Sequence, residues 1–340
     1  MNLNRGINLG GYLSQCCHKE SHYDSFIGRE DIKQIADWGF DHVRLPIDYE
    51  VLESDDGAVK EQGYDRVRRV IDWCAECGLN IILDLHKAYG YDFNNAGNEE
   101  KNNLFSSPIL QKRFLDLWIR MAERFGVYQN VAFELLNEVV EKENAKAWND
   151  LIRVSVSGIR KINRTAPIIY GGIQWNSVKT LKLLEIPEDP NIIFTFHFYE
   201  PFLFTHQKAP WVLMIDPGQT VFYPETMEEY RKKSEKLGAQ GEVVSAARAQ
   251  VVGEELLAEM IMEAVDAANK AGVALYCGEF GVIDRAPVED TLRWFADVSS
   301  VFRRFNIGCA VWSYKEMDFG IIDAHYAPIK EALIKLLVEK

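Results

Sequence analysis

The feature that most restricts the fold is an alternation in which a short apolar run is followed by a longer amphipathic one, repeated eight times along the chain. The apolar runs are Arg5–Leu9, Phe40–Pro46, Leu79–His86, Val131–Glu138, Pro167–Tyr170, Asn191–Tyr199, Val273–Gly278 and Ile307–Trp312. Near-continuous apolar runs of this length read as strands buried on both faces, as in a parallel sheet. Helical patterning fills the intervals: Glu30–Trp38, Tyr64–Cys77, Pro108–Phe125, Asn144–Asn163, a short Ser177–Leu184, Glu254–Ala271, Pro287–Phe305 and Ala327–Val338. Gly39 and Gly78 follow the first two helices, where a left-handed cap is expected, and Pro46 is expected to stop the second strand. Composition does not change along the chain, so one α/β domain over residues 1–340 is predicted, a single (β/α)8 TIM barrel.

The net charge of -13, from 38 basic and 51 acidic residues, argues against nucleic acid and acidic lipid as partners, since both need a basic footprint. A neutral substrate is the easier reading. The first residues, Met1-Asn-Leu-Asn-Arg5-Gly6, contain no apolar signal core, and about 18 consecutive apolar residues occur nowhere. A soluble chain without an export address or membrane span is expected, and its location is left open. Six cysteines are few for 340 residues, and most of them are expected to be reduced. Cys74-Ala-Glu-Cys77 falls late in a helix, away from the N-terminal dipole that activates a thiolate. Cys16-Cys17-His18 with His22 has the residue types of a metal site, but a loop with incidental sulfur is the favoured reading.

In a barrel of this kind the C-terminal strand ends share one pocket. Those ends carry Arg44, His86, Asn137 with Glu138, His197 with Tyr199, Glu279, and Trp312. Taken singly, an arginine paired inside the barrel, a structural histidine or a core tryptophan would be ordinary. Glu138 is harder to explain that way, because a buried unpaired carboxylate is costly. Two glutamates on two strand ends suit glycoside hydrolysis. Glu134 shares a face with Glu138 but lies deeper, and is read as structural. Asp84, His86 and His197 would suit a metal-dependent hydrolase, although such sites usually collect more ligating histidines; no metal and no cofactor is expected.

This set of strand ends resembles glycoside hydrolase family 5, particularly its clostridial endo-β-1,4-glucanases. Leu135-Leu-Asn-Glu138 resembles the family's acid/base signature and Cys277-Gly-Glu-Phe-Gly281 that of its nucleophile. Gly6-Ile-Asn-Leu-Gly-Gly11 and Val311-Trp-Ser-Tyr-Lys-Glu-Met-Asp-Phe319 extend the likeness to both ends of the chain. The resemblance implies Glu138 as acid/base and Glu279 as nucleophile of a retaining reaction. It further implies that Arg44 and Tyr199 hold Glu279, that Asn137 reaches the sugar 2-hydroxyl, and that His86 and His197 orient sugar and carboxylates. Trp312 would floor the subsite where cleavage occurs. All these residues are expected at the substrate. The family usually has a second histidine or a small polar group after His86; this chain has Lys87, which either alters sugar selection or points to solvent.

Between Tyr199 and Glu254 the chain takes about fifty residues where a strand-to-helix loop normally takes a few. Residues 200–253 are therefore expected to form an inserted subdomain after the sixth strand, overhanging the cleft. Its first part is aromatic, and Glu225 to Leu237 is helical by pattern. Phe202, Phe204, Trp211 and Trp175 are candidates for stacking on sugar rings, with a small core of the insertion itself as the competing reading. Tyr12 and Trp148 are weaker candidates. The expected enzyme is a retaining endo-β-1,4-glucanase acting as a monomer on soluble or mixed-linkage β-glucan, lichenan or carboxymethylcellulose. The alternatives are a β-mannanase or mixed glucanase/mannanase and, more remotely, a barrel that binds glycans without cleaving them.

Overall fold

The computed structural model describes residues 1–235, 237–238, 244 and 246–339. Eight parallel strands close into a barrel in sequence order. They are β1 (Arg5–Asn8), β2 (His42–Asp48), β3 (Asn80–Lys87), β4 (Val131–Glu134), β5 (Ile168–Gly171), β6 (Ile192–Phe198), β7 (Ala274–Phe280) and β8 (Gly308–Val311). The outer layer is α1 (Arg29–Trp38), α2 (Glu61–Glu76), α3 (Pro108–Phe125), α4 (Ala145–Arg160), α5 (Glu254–Ala271), α6 (Val288–Arg304) and α7 (Lys330–Val338). The predicted (β/α)8 barrel is therefore present. The fifth crossover carries only a 3-10 segment, Val178–Leu183.

Local chemistry explains why these segments become helices. α3 starts at Ser107, whose hydroxyl accepts from the Leu110 N–H, with Pro108 in the first turn. It buries Phe114, Leu117, Trp118, Met121, Ala122 and Phe125, a stripe at helical spacing. Each large side chain there contributes about 1.5–3 kcal/mol by leaving water. α1 ends at Gly39, whose φ of 99° a residue with a Cβ would resist.

Two strands depart from expectation. β2 does not stop at Pro46 but runs on to Asp48. Arg44 O accepts from Leu9 N–H and Asp48 N–H donates to Leu13 O, so alternate residues of β2 face the β1 side. Pro46 lies between them and faces the turn after β1, where no ladder bond is asked of its missing N–H. β4 stops at Glu134, four residues before the expected end. The chain beyond it is still held, by Leu135 N–H to Ile169 O and Asn137 N–H to Leu85 O, each 3.0 Å.

Inside the barrel, Leu3, Ile82, Ala132, Ile169, Tyr276 and Ala310 form an apolar plug toward the N-terminal end of the strands. Polar side chains in phase with it occupy the level above. A register shift between β6 and β7 places His197, not its successor Phe198, opposite Glu279, a use of irregular pairing common beside functional sites.

Within the long connection after β6, a short helix Phe202–Thr205, a helix Met227–Ser234 and an antiparallel pair, Glu225–Thr226 with Val251–Val252, are formed. Of the expected segment 200–253, residues 236, 239–243 and 245 lie outside the described residues. The connection is tied to the barrel's outer layer: Tyr223 N–H donates to Asp290 (3.1 Å) and its hydroxyl to Asp297 (2.7 Å), both on α6. Phe204, Val221, Tyr223, Met227, Tyr230 and Val252 join the same apolar cluster as the barrel and helices.

Candidate active site

Arg44 is the centre of the polar layer. It is fully buried, and its guanidinium makes six contacts. Nε (2.7 Å) and Nη2 (3.0 Å) clasp Glu134, and Nη1 reaches Asn8 Oδ1 (3.0 Å) and Glu279 Oε1 (2.8 Å). Nη2 also meets Asn137 Oδ1 and Asp84 Oδ2, each at 3.0 Å. One cation thus faces three carboxylates. Burial pushes Asp84 up to about 7 and raises Glu134, each only partly offset by Arg44. Asn8, on β1, completes the frame by donating to the carbonyls of Gly278 (2.9 Å) and Ala310 (3.1 Å), which ties the three strands β1, β7 and β8 together at this level.

The two glutamates at the mouth have different surroundings. Both oxygens of Glu279 accept hydrogen bonds, Oε1 from Arg44 and Oε2 from the Tyr199 hydroxyl at 2.9 Å. Among the described residues Glu138 receives only His197 Nδ1, at 2.8 Å. Burial pushes Glu138 up to about 7, against the lowering influence of His86 and Arg44. Its φ of 43° turns the side chain out of the strand path, and its carbonyl is held by the Tyr91 hydroxyl (2.9 Å). Donor or acceptor atoms of Glu138, His197 and Glu279 all lie within 4.8 Å of one another.

His197 is kept neutral, lowered to about 4 by burial despite the nearby Glu279. Its second nitrogen faces the Asn176 amide at 3.4 Å, so the ring is arranged to accept there and to donate to Glu138. Asn176 itself fits because residue 171 is glycine; a Cβ there would stand 2.5 Å from the amide oxygen. His86 is likewise lowered by burial. Its Nδ1 is bound to Asp84 (2.7 Å) and its Nε2 to the Gln15 amide (2.9 Å). The ring stacks on Trp312, with centroids 5.9 Å apart at 5°. Gly10 leaves room for that indole, since a Cβ would come within 2.9 Å of it. Asn137 Nδ2 is buried with no partner among the described residues, a donor left for something that enters the cleft.

The structure brings together Arg44, His86, Asn137, Glu138, His197, Tyr199, Glu279 and Trp312. Arg44 needs correction as a substrate-binding residue: it is sealed beneath the carboxylates and acts through them. Phe204 is also corrected, being fully buried against Tyr223, with ring centroids 5.3 Å apart, and out of reach of a sugar. Phe202 is partly buried and stacks on His206 at 4.2 Å, whereas Trp175 and Trp211 are 45% and 52% exposed. Tyr12 and Trp148 are core residues. Ala209 and Val212, at the start of the long connection, pack with Trp312 and Tyr199 and so border the cleft. Lys87 points neither to solvent nor freely at the cleft; it is paired with Asp48 (3.5 Å) and Asp92 (3.3 Å). Asp84 and His86 are engaged with each other and His197 with Glu138, so the three do not converge as a ligand set among the described residues. His22, weighed with Cys16, Cys17 and His18, turns away to the Gly11 carbonyl.

Asn8, Gln15 and Asn176 are the members the sequence reading missed. Asn8 had a signal, a polar residue inside a buried strand. Gln15 and Asn176 lie in loops whose left-handed backbone (φ 50° and 52°) no periodicity announces.

Comparison with known proteins agrees with this geometry. The family model for Cellulase (glycosyl hydrolase family 5) matches residues 6–318. The chain is 40% identical over 343 aligned residues to Endoglucanase C of Acetivibrio thermocellus, covering 98% of both proteins. It is 39% identical to Cellodextrinase A of Ruminococcus flavefaciens over 306 residues, 89% of this chain and 83% of that one. The solved structure of Thermotoga maritima Cel5A in complex with mannotriose matches with a TM-score of 0.75 and 26% identity, over 98% of this chain and 97% of that one; the same protein is also solved with cellobiose. Sequence, barrel and paired glutamates converge: the chain belongs to glycosyl hydrolase family 5, the cellulase family.

Proposed function

We propose that this glycoside hydrolase is a retaining endo-β-1,4-glucanase acting on soluble and mixed-linkage β-glucans. The observation that carries the reading is the pair Glu138 and Glu279, with oxygens within 4.8 Å of each other and unlike surroundings. Retaining enzymes hold their carboxyl groups about 5–5.5 Å apart, whereas inverting ones leave room for a water at about 6.5–9.5 Å. In the first step a Glu279 oxygen attacks the anomeric carbon while Glu138 gives its proton to the departing glycosidic oxygen. In the second, Glu138 takes a proton from water, which attacks the same carbon and releases Glu279. A group raised to about 7 can both give and take a proton near neutrality.

The supporting residues act on these two. Arg44 and Tyr199 fix the two oxygens of Glu279, and the neutral His197 holds Glu138 without cancelling its charge change. Asn137 offers its free N–H to the sugar 2-hydroxyl, where contacts strengthen in the transition state. Trp312 forms the floor beside His86. Trp175 and Trp211 provide exposed ring faces for further sugars, and the segment 200–253 acts as a small subdomain bordering the cleft. The chain works as a monomer on a glucan, without metal or nucleic acid.

The printed names of the relatives favour glucan over mannan, while the mannotriose complex keeps a mannanase as the second reading. Barley β-glucan, carboxymethylcellulose and glucomannan are assayed side by side with EDTA present, following the anomer first released by NMR. Release of the β-anomer from β-glucan, abolished in Glu279→Gln, is expected. First release of the α-anomer would overturn the retaining mechanism, and activity confined to glucomannan would move the substrate.

A further inference from the structure

Beside the cleft, the loop after β1 and the end of β2 gather a thiol, an imidazole and a carboxylate that catalysis does not use. Cys16 Sγ lies 3.6 Å from His18 Nδ1, and His18 Nε2 lies 3.2 Å from Asp48 Oδ2. The order is nucleophile, ring and orienting carboxylate. Asp48 is fully buried, Cys16 is partly open to solvent, and the adjacent Cys17 is exposed. Burial works against charge on the ring, yet the hydrogen bond to Asp48 and the contact with Cys16 raise His18 to about 10. At neutral pH it is therefore an imidazolium. Other groups facing this cluster are the Tyr23 hydroxyl (2.8 Å from Nδ1), Glu50, and Lys87 through Asp48.

The cluster is mechanically joined to the cleft by one residue. Gln15 donates its backbone N–H to Asp48 (2.8 Å), and its side-chain amide meets His86 Nε2 (2.9 Å). Gln15 has a φ of 50°, as does His18, so the loop has little freedom to shift at Cys16 without shifting Gln15. Cys16 Sγ also lies 3.5 Å from the Tyr12 carbonyl, a contact that a group on the sulfur would displace.

We propose that Cys16 is a modification site for small-molecule disulfides, and that an adduct there is felt at the cleft through Gln15 and His86. The Cys16 sulfur attacks one sulfur of the reagent. A Cys16–S–S–R bond forms, the original S–S bond breaks, and the departing thiolate takes a proton from solvent. The disulfide itself is the oxidant, and no further reagent is needed. The positive ring beside the sulfur stabilises negative charge on it as the reaction begins.

The test uses the full chain and dithiodipyridine, a neutral disulfide suited to a protein of net charge -13. Peptide mapping follows each cysteine, with the partly buried Cys77 as internal standard; Cys309, whose thiol burial pushes up to about 12, does not serve. Labelling of Cys16 is expected to be about tenfold faster than Cys77 at neutral pH, in a Cys17→Ser background as well. His18→Gln should bring it down to the Cys77 level. Equal rates for Cys16 and Cys77 in the parent chain, or a fast rate retained in His18→Gln, would overturn the assignment. The activity arm rests on the glucanase reading, and the labelling arm does not. Hydrolysis of carboxymethylcellulose should fall in step with Cys16 labelling, recover with dithiothreitol, and be insensitive in Cys16→Ser. Fully labelled enzyme with unchanged kcat and KM would overturn the coupling through Gln15.

Discussion

Replacing Arg44 by lysine keeps the charge at the centre of the site and removes its geometry. The guanidinium makes six contacts, with Glu134 twice and with Asn8, Asn137, Asp84 and Glu279 once each. An ammonium offers three donors from a single atom, so at least three contacts go. A buried hydrogen bond to a charged group is worth about 1.5–3 kcal/mol, which makes the loss about 5 kcal/mol. Unfolding entropy of about 2.1 cal/mol/K per residue over 340 residues is about 0.7 kcal/mol/K, so Tm should fall by about 7 °C. Activity should suffer separately, because Glu279 Oε1 loses a fixed donor; if Glu279 is the nucleophile, as proposed, its displacement costs about a hundredfold in kcat. Scanning calorimetry and initial rates on carboxymethylcellulose measure the two effects. A Tm within about 2 °C of the parent together with kcat within about twofold would refute the claim that the fork shape, rather than the charge, organises the site.

Four further outcomes follow from the geometry. In the proposed mechanism Glu138 must carry a proton for the first step, so kcat/KM on β-glucan should decline as pH rises through about 7; a profile flat to pH 9, read from initial rates, would exclude Glu138 as the acid. Asn176→Asp puts an anion beside His197 Nε2 and favours the imidazolium, which stabilises ionised Glu138, so this alkaline limb should move to lower pH; an unmoved limb would mean that the 3.4 Å contact does not set the ring's proton. Phe204→Ala should lower stability by about 3–5 kcal/mol in urea unfolding with KM unchanged. Trp211→Ala, by contrast, should raise KM for long glucans and leave stability within about 0.5 kcal/mol.

The barrel was legible because its signal is carried by burial: strands enclosed on both faces must be apolar, and the residues that break the run at the strand ends stand out. Arg44, His86, Asn137, Glu138, His197, Tyr199, Glu279 and Trp312 were all found in this way. Pro46 misled because a missing N–H matters only where a partner waits for it, and β1 has already turned away at that level. Phe204 misled because an aromatic residue in a loop has no period to say which side it faces. Its neighbour Phe202 and the later Trp211 have the same local chemistry but different exposure. Asn176 and Gln15 were illegible for a related reason: their roles depend on where a left-handed turn points an amide, and that is decided by contacts with Gly171 and Asp48.

The sequence separation within the site bears on how a growing chain acquires it. Arg44 and Glu134 are 90 residues apart, whereas Arg44 and Glu279 are 235 apart. During synthesis Arg44, Asp84 and Glu134 are therefore all present in the chain long before Glu279 is added. Glu279 is the last of the Arg44 partners to be made, and Asn8, gripping Gly278 and Ala310, ties the first strand to the last two. A chain cut short before β7 would lack Glu279, and under the proposed mechanism it would have no group to attack the anomeric carbon.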